Sequence, residues 1–293
     1  MKILVLGGSS SIGSEFIKNV PRKHEVFSTY NKSNLVLETT QIKFCYPNDF
    51  MEIKKKILMK KPDVIINFIG YTNLDFCENN KDEAYKLNVE LPKKFLEVSS
   101  EINSKFIQFS TDYVFDGKTG NYKENDEKNP TNYYGYTKHI SEIETLQNSN
   151  NIVIRTSSVY DLKYRTNFLK FVFQKLMDDK KCDAFTDVYS TPILVDDLVR
   201  ITIDIIEKNE RGIFHISGNE CISRFEFAKK IAKIIGFNEK LVFPISQKMA
   251  KQKIFRPKDS CLNNDKIKDV IKAKFSSIDE NMEKIKVNLQ QDC

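Results

Sequence analysis

Ile3-Leu4-Val5-Leu6-Gly7-Gly8-Ser9-Ser10-Ser11-Ile12-Gly13 is the stretch whose reading decides the fold. Four apolar residues in a row read as a short buried strand, the Gly/Ser run as a turn, and Ile12 to about Val20 as a helix. Glycine at 7 permits a tight turn. Small residues at Gly8, Ser9, Ser10 and Ser11 let backbone N–H groups approach an anion, and Gly13 lets the helix close on the sheet. The helix N-terminus adds its own preference for negative charge. A glycine loop alone is a weak signal. Placed between a first strand and a first helix, it points to the pyrophosphate of a dinucleotide.

Outward from this stretch, short β-branched runs alternate with helical patterns. Strands are expected at Glu25–Ser28, weakly at Ile42–Phe44, and at Asp63–Phe68, Lys105–Phe109 and Ile152–Ile154. Helices are expected at Phe50–Lys60, closed by Pro62, at Lys81–Glu101 with a kink or break at Pro92, and at Tyr133–Leu146. Near-continuous apolar strands between helices predict a parallel sheet covered on both faces. The predicted class is α/β, a Rossmann-type doubly wound parallel sheet with a smaller C-terminal α/β lobe. After about Asp161 the rhythm weakens. Helices are expected at Asn167–Met177 and Val195–Glu207, a strand at Gly212–Ile216, and a helix opened by the capping box of Ser223 and Glu226. The tail from Lys258 reads as charged and mixed. Residues 1–160 and 184–210 are expected to form the dinucleotide lobe, and 161–183 with 211–293 a second lobe.

Composition excludes several classes. The 293 residues are 40% hydrophobic and 29% charged, ordinary globular usage and no disordered chain or coiled-coil rod. The net charge of +6 is spread along the chain, unlike the basic patch that reads nucleic acid, so no nucleic-acid partner is expected. The apolar run at the N-terminus is too short for a signal-peptide core, and nothing approaches a membrane span. The six cysteines form no Cys-x-x-Cys, and no metal site is expected. They read as reduced thiols of a cytoplasmic protein.

The ribose-gripping carboxylate of a dinucleotide fold is expected about 20 residues after the glycine loop. Ser28-Thr29-Tyr30-Asn31-Lys32-Ser33 holds none. Hydroxyls, Asn31 and Lys32 suit a 2′-phosphate, so NADPH is expected as cofactor ahead of NADH.

Tyr134 and Lys138 stand four apart, on one helix face. An ammonium beside a phenol is expected to lower the phenol pKa and make a proton donor usable near neutral pH. The pair by itself says little. Of 46 basic residues seven are arginine, and 12 tyrosines with 39 lysines in 293 positions supply about 1.6 such pairs by chance; one is present. Its weight comes from Ser110-Thr111-Asp112-Tyr113, which follows a predicted parallel strand. Hydroxyls there lie at the carboxyl end of the sheet, where such folds bind ligands. His215, inside a predicted strand, reads as structural.

Together these residues resemble an extended short-chain dehydrogenase/reductase. More narrowly they resemble the dTDP-4-dehydrorhamnose reductase family. The resemblance rests on Asp63–Asn67, Tyr71-Thr72-Asn73-Leu74-Asp75, Ser110 to Gly117, Tyr134 to Lys138, Arg155-Thr156-Ser157, Asn167-Phe168, Ser190-Thr191-Pro192, Asp196-Asp197-Leu198 and Arg256-Pro257-x-x-Ser260. It runs from residue 1 to about 262. It implies Thr111, Tyr134 and Lys138 as the catalytic set, with Asn88 helping to position the lysine. It implies cofactor contacts at Gly7 to Gly13, Cys45, Tyr46, Phe68, Ile69 and Gly70, and substrate contacts at Thr111, Asp112, Asn167 and Arg256. The implied activity is NADPH-dependent reduction of the C4 ketone of a UDP- or dTDP-linked 4-keto-6-deoxyhexose, with a homodimer as a further expectation.

Two departures bear on the substrate. The middle glycine of the family's loop is Ser10. The family's tryptophan after Arg-Thr-Ser is Ser158, in a chain with no tryptophan at all. Asn73 to Glu78 also resembles the stretch of bifunctional epimerase/reductases in which a cysteine, here Cys77, exchanges protons beside the ketone. Lys170, a candidate partner for it, stands one residue out of register. The regulatory subunit of methionine adenosyltransferase resembles the same family, so a non-catalytic subunit is the competing reading.

Overall fold

The computed structural model describes residues 1–32, 39–162, 167–254 and 256–291; Ser33, the end of the 28–33 run, lies outside them. β1 (Lys2–Leu6) has alternate side chains in two cores: Ile3 and Val5 in one, Leu4 and Leu6 in the other. That two-sided burial explains why the strand is apolar without alternation. The glycine turn leads into α1 (Ser11–Asn19), then β2 (Glu25–Tyr30), β3 (Thr40–Lys43), α2 (Phe50–Lys60) and β4 (Val64–Asn67). After β4 come α3 (Leu74–Asn79), α4 (Lys81–Tyr85), one π-helical turn (Lys86–Glu90) and α5 (Leu91–Glu101). β5 (Lys105–Thr111), α6 (Tyr133–Leu146) and β6 (Ile152–Thr156) complete the first half of the fold.

The second half has shorter elements: β7 (Val159–Tyr160), α7 (Phe168–Met177), β8 (Cys182–Phe185), β9 (Tyr189–Ser190) and β10 (Ile193–Leu194). Then follow α8 (Val195–Glu207), β11 (Gly212–His215), β12 (Ile222–Ser223), α9 (Arg224–Ile235), β13 (Val242–Ile245), α10 (Asp265–Ile271) and α11 (Ile278–Gln291). Seven strands form one sheet in the order β11-β6-β5-β4-β1-β2-β3, every pair parallel. The chain reverses direction across the sheet between β1 and β4. The crevice outside their carboxyl ends is therefore where a ligand belongs. Helices α1, α8 and α10 pack on one face and α2 and α5 on the other. A second core, from α7, α9, α11 and the parallel pair β8–β13, forms the smaller lobe.

The structure corrects four expectations. Gly212–His215, assigned above to the second lobe, is hydrogen-bonded to β6 as the edge of the central sheet. The tail is not irregular: it forms α10 and α11, and Ile267 and Ile271 of α10 return to the sheet's core. The break in 81–101 lies ahead of Pro92, as the π turn at 86–90. Proline lacks an N–H and its ring collides with the carbonyl four residues back, here that of Asn88. The widened turn and the place of Pro92 in the first turn of α5 resolve both. Finally, Cys221 and Cys261 are joined in a disulfide across 40 residues, while Cys45, Cys77 and Cys182 are free. A pairing so distant in sequence leaves no spacing signature, hence the expectation of reduced thiols throughout. Among the described residues, no helix is long and apolar enough to cross a membrane.

One buried ion pair fastens α6 to the sheet. Arg155, on β6 and fully buried, donates from Nε and Nη2 to the two carboxylate oxygens of Glu142 on α6, at 2.9 and 2.8 Å. Its Nη1 donates to the Glu124 carbonyl at 3.0 Å and stands 3.2 Å from His215 Nε2, and the guanidinium lies over the Phe115 ring. His215 Nδ1 faces the Asn263 carbonyl at 3.0 Å, which fixes the neutral tautomer with Nε2 as acceptor. Burial and the Arg155 cation push His215 down to about 3. Burial alone would raise the Glu142 carboxyl, yet His139 and Arg155 hold it down to about 2. Removing one partner of such a pair strands the other charge, so Arg155→Met should destabilise the chain by about 3–5 kcal/mol in chemical denaturation. A loss under about 1 kcal/mol would show that the pair does not hold α6 in place.

Candidate functional site

The glycine loop sits at the carboxyl end of β1. Gly7 has φ of +79°, a conformation that costs other residues, and its N–H donates to Thr29 Oγ1 of β2 at 3.0 Å. A Cβ on Gly8 would fall 2.7 Å from Ser28 Cβ, and one on Gly13 would fall 2.4 Å from the Gly7 carbonyl oxygen. Ser10, where the family has glycine, caps α1: its Oγ accepts from Gly13 N at 3.1 Å. Ser9 and Ser11 flank it, and Ser11 and Ile12 open the helix. The loop is thus a cradle no larger side chain could share, opening at a helix N-terminus, and it fits a dinucleotide pyrophosphate. Asn31 and Lys32 are exposed just past β2. Ile69 N donates to Asn67 Oδ1 at 3.0 Å, and the Ile69 side chain closes on Gly7. Phe68 stacks between Phe16 and Phe109, at 5.9 and 4.6 Å between ring centres. Cys45 N donates to Asp49 Oδ2 at 2.7 Å, and Lys94 lies over the Tyr46 ring.

The π turn carries Asn88 into the core of the site, fully buried. Its Oδ1 accepts from Tyr71 N at 2.8 Å, and its Nδ2 donates to Tyr71 O and Thr137 Oγ1, both at 3.0 Å. One amide thus joins the irregular segment that follows β4 to the residue preceding Lys138. Gly70 leaves room for it.

α6 begins with Asn132, whose Oδ1 accepts from Gly135 N at 2.9 Å. Tyr134, Lys138 and Glu142 then fall one turn apart on one face. Lys138 is buried, and burial pushes it down to about 8, with Glu142 pulling the other way. Burial pushes the Tyr134 phenol above its usual value, opposed by a hydrogen bond with Thr111. The expectation that Lys138 depresses the Tyr134 pKa is therefore corrected: desolvation outweighs it. The phenol stays protonated at neutral pH, the state a proton donor needs.

Thr111 ends β5 and stands beside Tyr134. Its Oγ1 donates to Asp112 Oδ1 at 3.0 Å and accepts from Tyr113 N at 3.3 Å. Asp112, expected to meet substrate, is instead buried, with Ser157 and Ser260 donating to its Oδ2 at 2.8 and 2.6 Å. Burial raises its carboxyl and these hydroxyls partly offset that. Asn167 is likewise committed: as the cap of α7 it accepts from Lys170 N at 3.0 Å, and it donates to Asp161 O at 2.6 Å. Ser158, at φ of +43°, donates to Ser190 Oγ at 3.0 Å. Cys77 is buried under the site and its thiol faces Tyr71 O at 3.6 Å. Burial and Glu78 push the thiol up to about 11, against the pull of Lys138.

Two residues of the site escaped the sequence reading. The Tyr113 ring meets Tyr134 edge-on, 6.2 Å between centres, and its phenol engages both Arg224 and Arg256. Arg256 Nη1 donates to Gln252 Oε1 at 2.9 Å, and the guanidinium lies over Phe185; that of Arg224 lies over Phe168. Among the described residues neither arginine forms an ion pair. The available signal was Arg224 in the first turn of a helix, where the dipole disfavours a cation. An open cleft of about 470 Å³ lies between Tyr133 and Tyr136 of α6 and Lys253-Ile254, and neither arginine lines it.

The family model described as RmlD substrate binding domain matches residues 1–290. A dTDP-4-dehydrorhamnose reductase of Aggregatibacter actinomycetemcomitans is 33% identical over 220 residues, 71% of this chain and 74% of that protein. A crystal structure titled a hypothetical dTDP-4-dehydrorhamnose reductase, from Sulfolobus tokodaii, is 34% identical, with a TM-score of 0.87 over 96% of this chain and 99% of that one. The Bacillus anthracis dTDP-4-dehydrorhamnose reductase, solved in complex with NADP, shares the fold at 23% identity and a TM-score of 0.85, over 98% of this chain and 99% of that one.

Proposed function

The chain belongs to the RmlD substrate binding domain family, and we propose that it is an NADPH-dependent oxidoreductase that reduces the C4 ketone of a nucleotide-linked 4-keto-6-deoxyhexose. The observation that carries the reading is the gathering of Thr111, Tyr134 and Lys138 at the carboxyl end of β5, one sheet crevice away from the glycine cradle. A non-catalytic subunit has no chemical need for all three.

Gly7 to Gly13 and the α1 N-terminus would hold the pyrophosphate, Asn31 and Lys32 the adenosine ribose phosphate, and Phe68, Ile69 and Gly70 the inner wall. When bound, the cofactor supplies a hydride to C4. Tyr134 gives its proton to the ketone oxygen as negative charge develops there, leaving a C4 hydroxyl, and recovers a proton from solvent. The Lys138 ammonium holds the nicotinamide ribose and stabilises the transient phenolate. The Thr111 hydroxyl meets the reacting oxygen. Arg256 and Arg224 converge on the Tyr113 phenol, and their fixed forks suit the two phosphates of a nucleoside diphosphate, UDP or dTDP. Ser158 offers the sugar a hydroxyl in place of an aromatic face. A thiol held near 11 donates to Tyr71 O and is a poor base. Cys77 is thus read as packing, and the reaction as reduction without epimerisation.

The reading is tested by following NADPH oxidation with UDP- and dTDP-linked 4-keto-6-deoxyhexoses. Tyr134→Phe should lower kcat by about 10²–10⁴ while NADPH still binds, and near-normal turnover would remove Tyr134 from the mechanism.

The same assay compares cofactors. With no carboxylate in 28–33 and Lys32 at the strand end, kcat/KM should favour NADPH over NADH; the reverse preference would show that Lys32 does not meet the 2′-phosphate.

Acid–base behaviour gives a further check. Lys138 titrates near 8 and Tyr134 above its usual value, so the ammonium is the first required proton lost as pH rises. Reduction should decline above about pH 8 with the loss of a single proton. A rate that stays level from pH 7 to 10 would take the Lys138 charge out of the mechanism.

A further inference from the structure

The Asp112 carboxylate is the meeting point of three separate parts of the chain, and it is buried. Oδ1 takes the Thr111 hydroxyl at 3.0 Å; Oδ2 takes Ser157, at the end of β6, at 2.8 Å and Ser260, in the segment 256–263, at 2.6 Å. Thr111, Asp112, Ser157, Thr191 and Ser260 are all at most 6% exposed. A buried carboxylate is costly unless every lone-pair direction is served, and this one is served by three hydroxyls and no cation.

The segment 256–263 is itself strapped across the site. Asp259 N donates to Gly117 O at 3.0 Å, Leu262 N to Thr191 Oγ1 at 3.3 Å, and Tyr122 N to Cys261 O at 2.9 Å. Cys261 is covalently tied to Cys221. The segment begins at Arg256, whose guanidinium engages the Tyr113 phenol, next door to Tyr134. It therefore reaches Tyr113 through Arg256 and Asp112 through Ser260.

We propose that Asp112 is a positioning residue through which the segment 256–263 sets the hydroxyl of Thr111. A threonine hydroxyl has one proton. In this structure Asp112 Oδ1 takes it. Donation to a ketone oxygen needs that proton to swing away from Oδ1. Ser157 and Ser260 draw the carboxylate charge toward Oδ2, which weakens the hold of Oδ1 on Thr111. A segment seated by a phosphate at Arg256 keeps Ser260 on Oδ2 and leaves the Thr111 proton free to turn to the substrate. The proposal rests on the ketoreductase reading for the role of Thr111, but not for the link between Ser260 and Thr111.

The test is a double-mutant cycle on the full chain, joined to hydrogen–deuterium exchange. Ser260→Ala should lower kcat about tenfold, the loss of one charge-assisted hydrogen bond, with KM changed less than about threefold. In a Thr111→Val background the same substitution should change kcat less than about twofold, because the residue it acts through is gone. Ser157→Ala, which leaves 256–263 untouched, should show the same coupling to Thr111→Val. Equal losses from Ser260→Ala in both backgrounds would overturn the proposal, as would an unchanged kcat in the parent background. Exchange supplies the readout that needs no activity. Ser260→Ala should speed exchange in peptides covering 109–115 as well as 256–263, and acceleration confined to 256–263 would refute the link. If wild-type protein reduces no 4-keto sugar, the functional reading fails, and the exchange result still decides the coupling.

Discussion

The buried pair of Glu142 and Arg155 is the interaction on which the site's geometry depends. α6 carries Tyr134, Lys138 and Glu142 on successive turns of one face, and only the last of them is fastened to the sheet by two parallel hydrogen bonds. A bidentate guanidinium–carboxylate pair fixes both distance and rotation, so it sets the height of the helix over β5 and the direction of the two side chains ahead of it. Taking two charges out of water costs several kcal/mol per ion before their attraction is counted. The surroundings reduce that cost without adding charge. His215 is held neutral, the Glu124 carbonyl accepts one N–H, and the Phe115 ring covers the guanidinium face. Asn88 performs the matching task at the other end of the helix, linking Thr137 to the Tyr71 backbone. Between these two anchors Lys138 has little freedom to move.

Within that frame desolvation, and not the tyrosine–lysine attraction, is the dominant electrostatic effect. It raises the Tyr134 phenol, lowers the Lys138 ammonium and raises the Asp112 carboxyl, all away from the charged form. The carboxylate of Glu142 opposes it at Lys138, one turn away, and keeps the ammonium charged at neutral pH. The same Glu142 thus places the helix and maintains the charge of the lysine it places. A protonated phenol beside a charged lysine is the pairing required to put a proton on a nascent alkoxide and to stabilise the phenolate left behind.

How much of this was legible follows the range of the signals. Ile3 to Leu6 and the glycine turn were legible because burial on both faces writes itself as an unbroken apolar run. The Ser223–Glu226 capping box was legible because it is complete within four residues, and it forms as read. The gathering of Thr111, Tyr134 and Lys138 could be expected from strand-end and helix-face rules. The π turn at 86–90 was half legible: Pro92 signalled a fault, but the side on which the helix widens depends on what Asn88 reaches. The sheet membership of Gly212–His215, the Cys221–Cys261 bond and the approach of Ser260 to Asp112 join residues 40 to 148 positions apart. No local pattern encodes such pairings. The burial of Asp112 was hidden for the same reason: one of the hydroxyls that hold it is 148 positions away.

Three costly features stand near one another. Arg224 and Arg256 repel each other and form no ion pair among the described residues. Lys138 is buried beside a raised phenol, and Asp112 is held by three hydroxyls with no cation. Charges held in this way cost stability. Tyr113, whose phenol engages both arginines and whose ring meets Tyr134 edge-on, ties the position of the two cations to that of Tyr134.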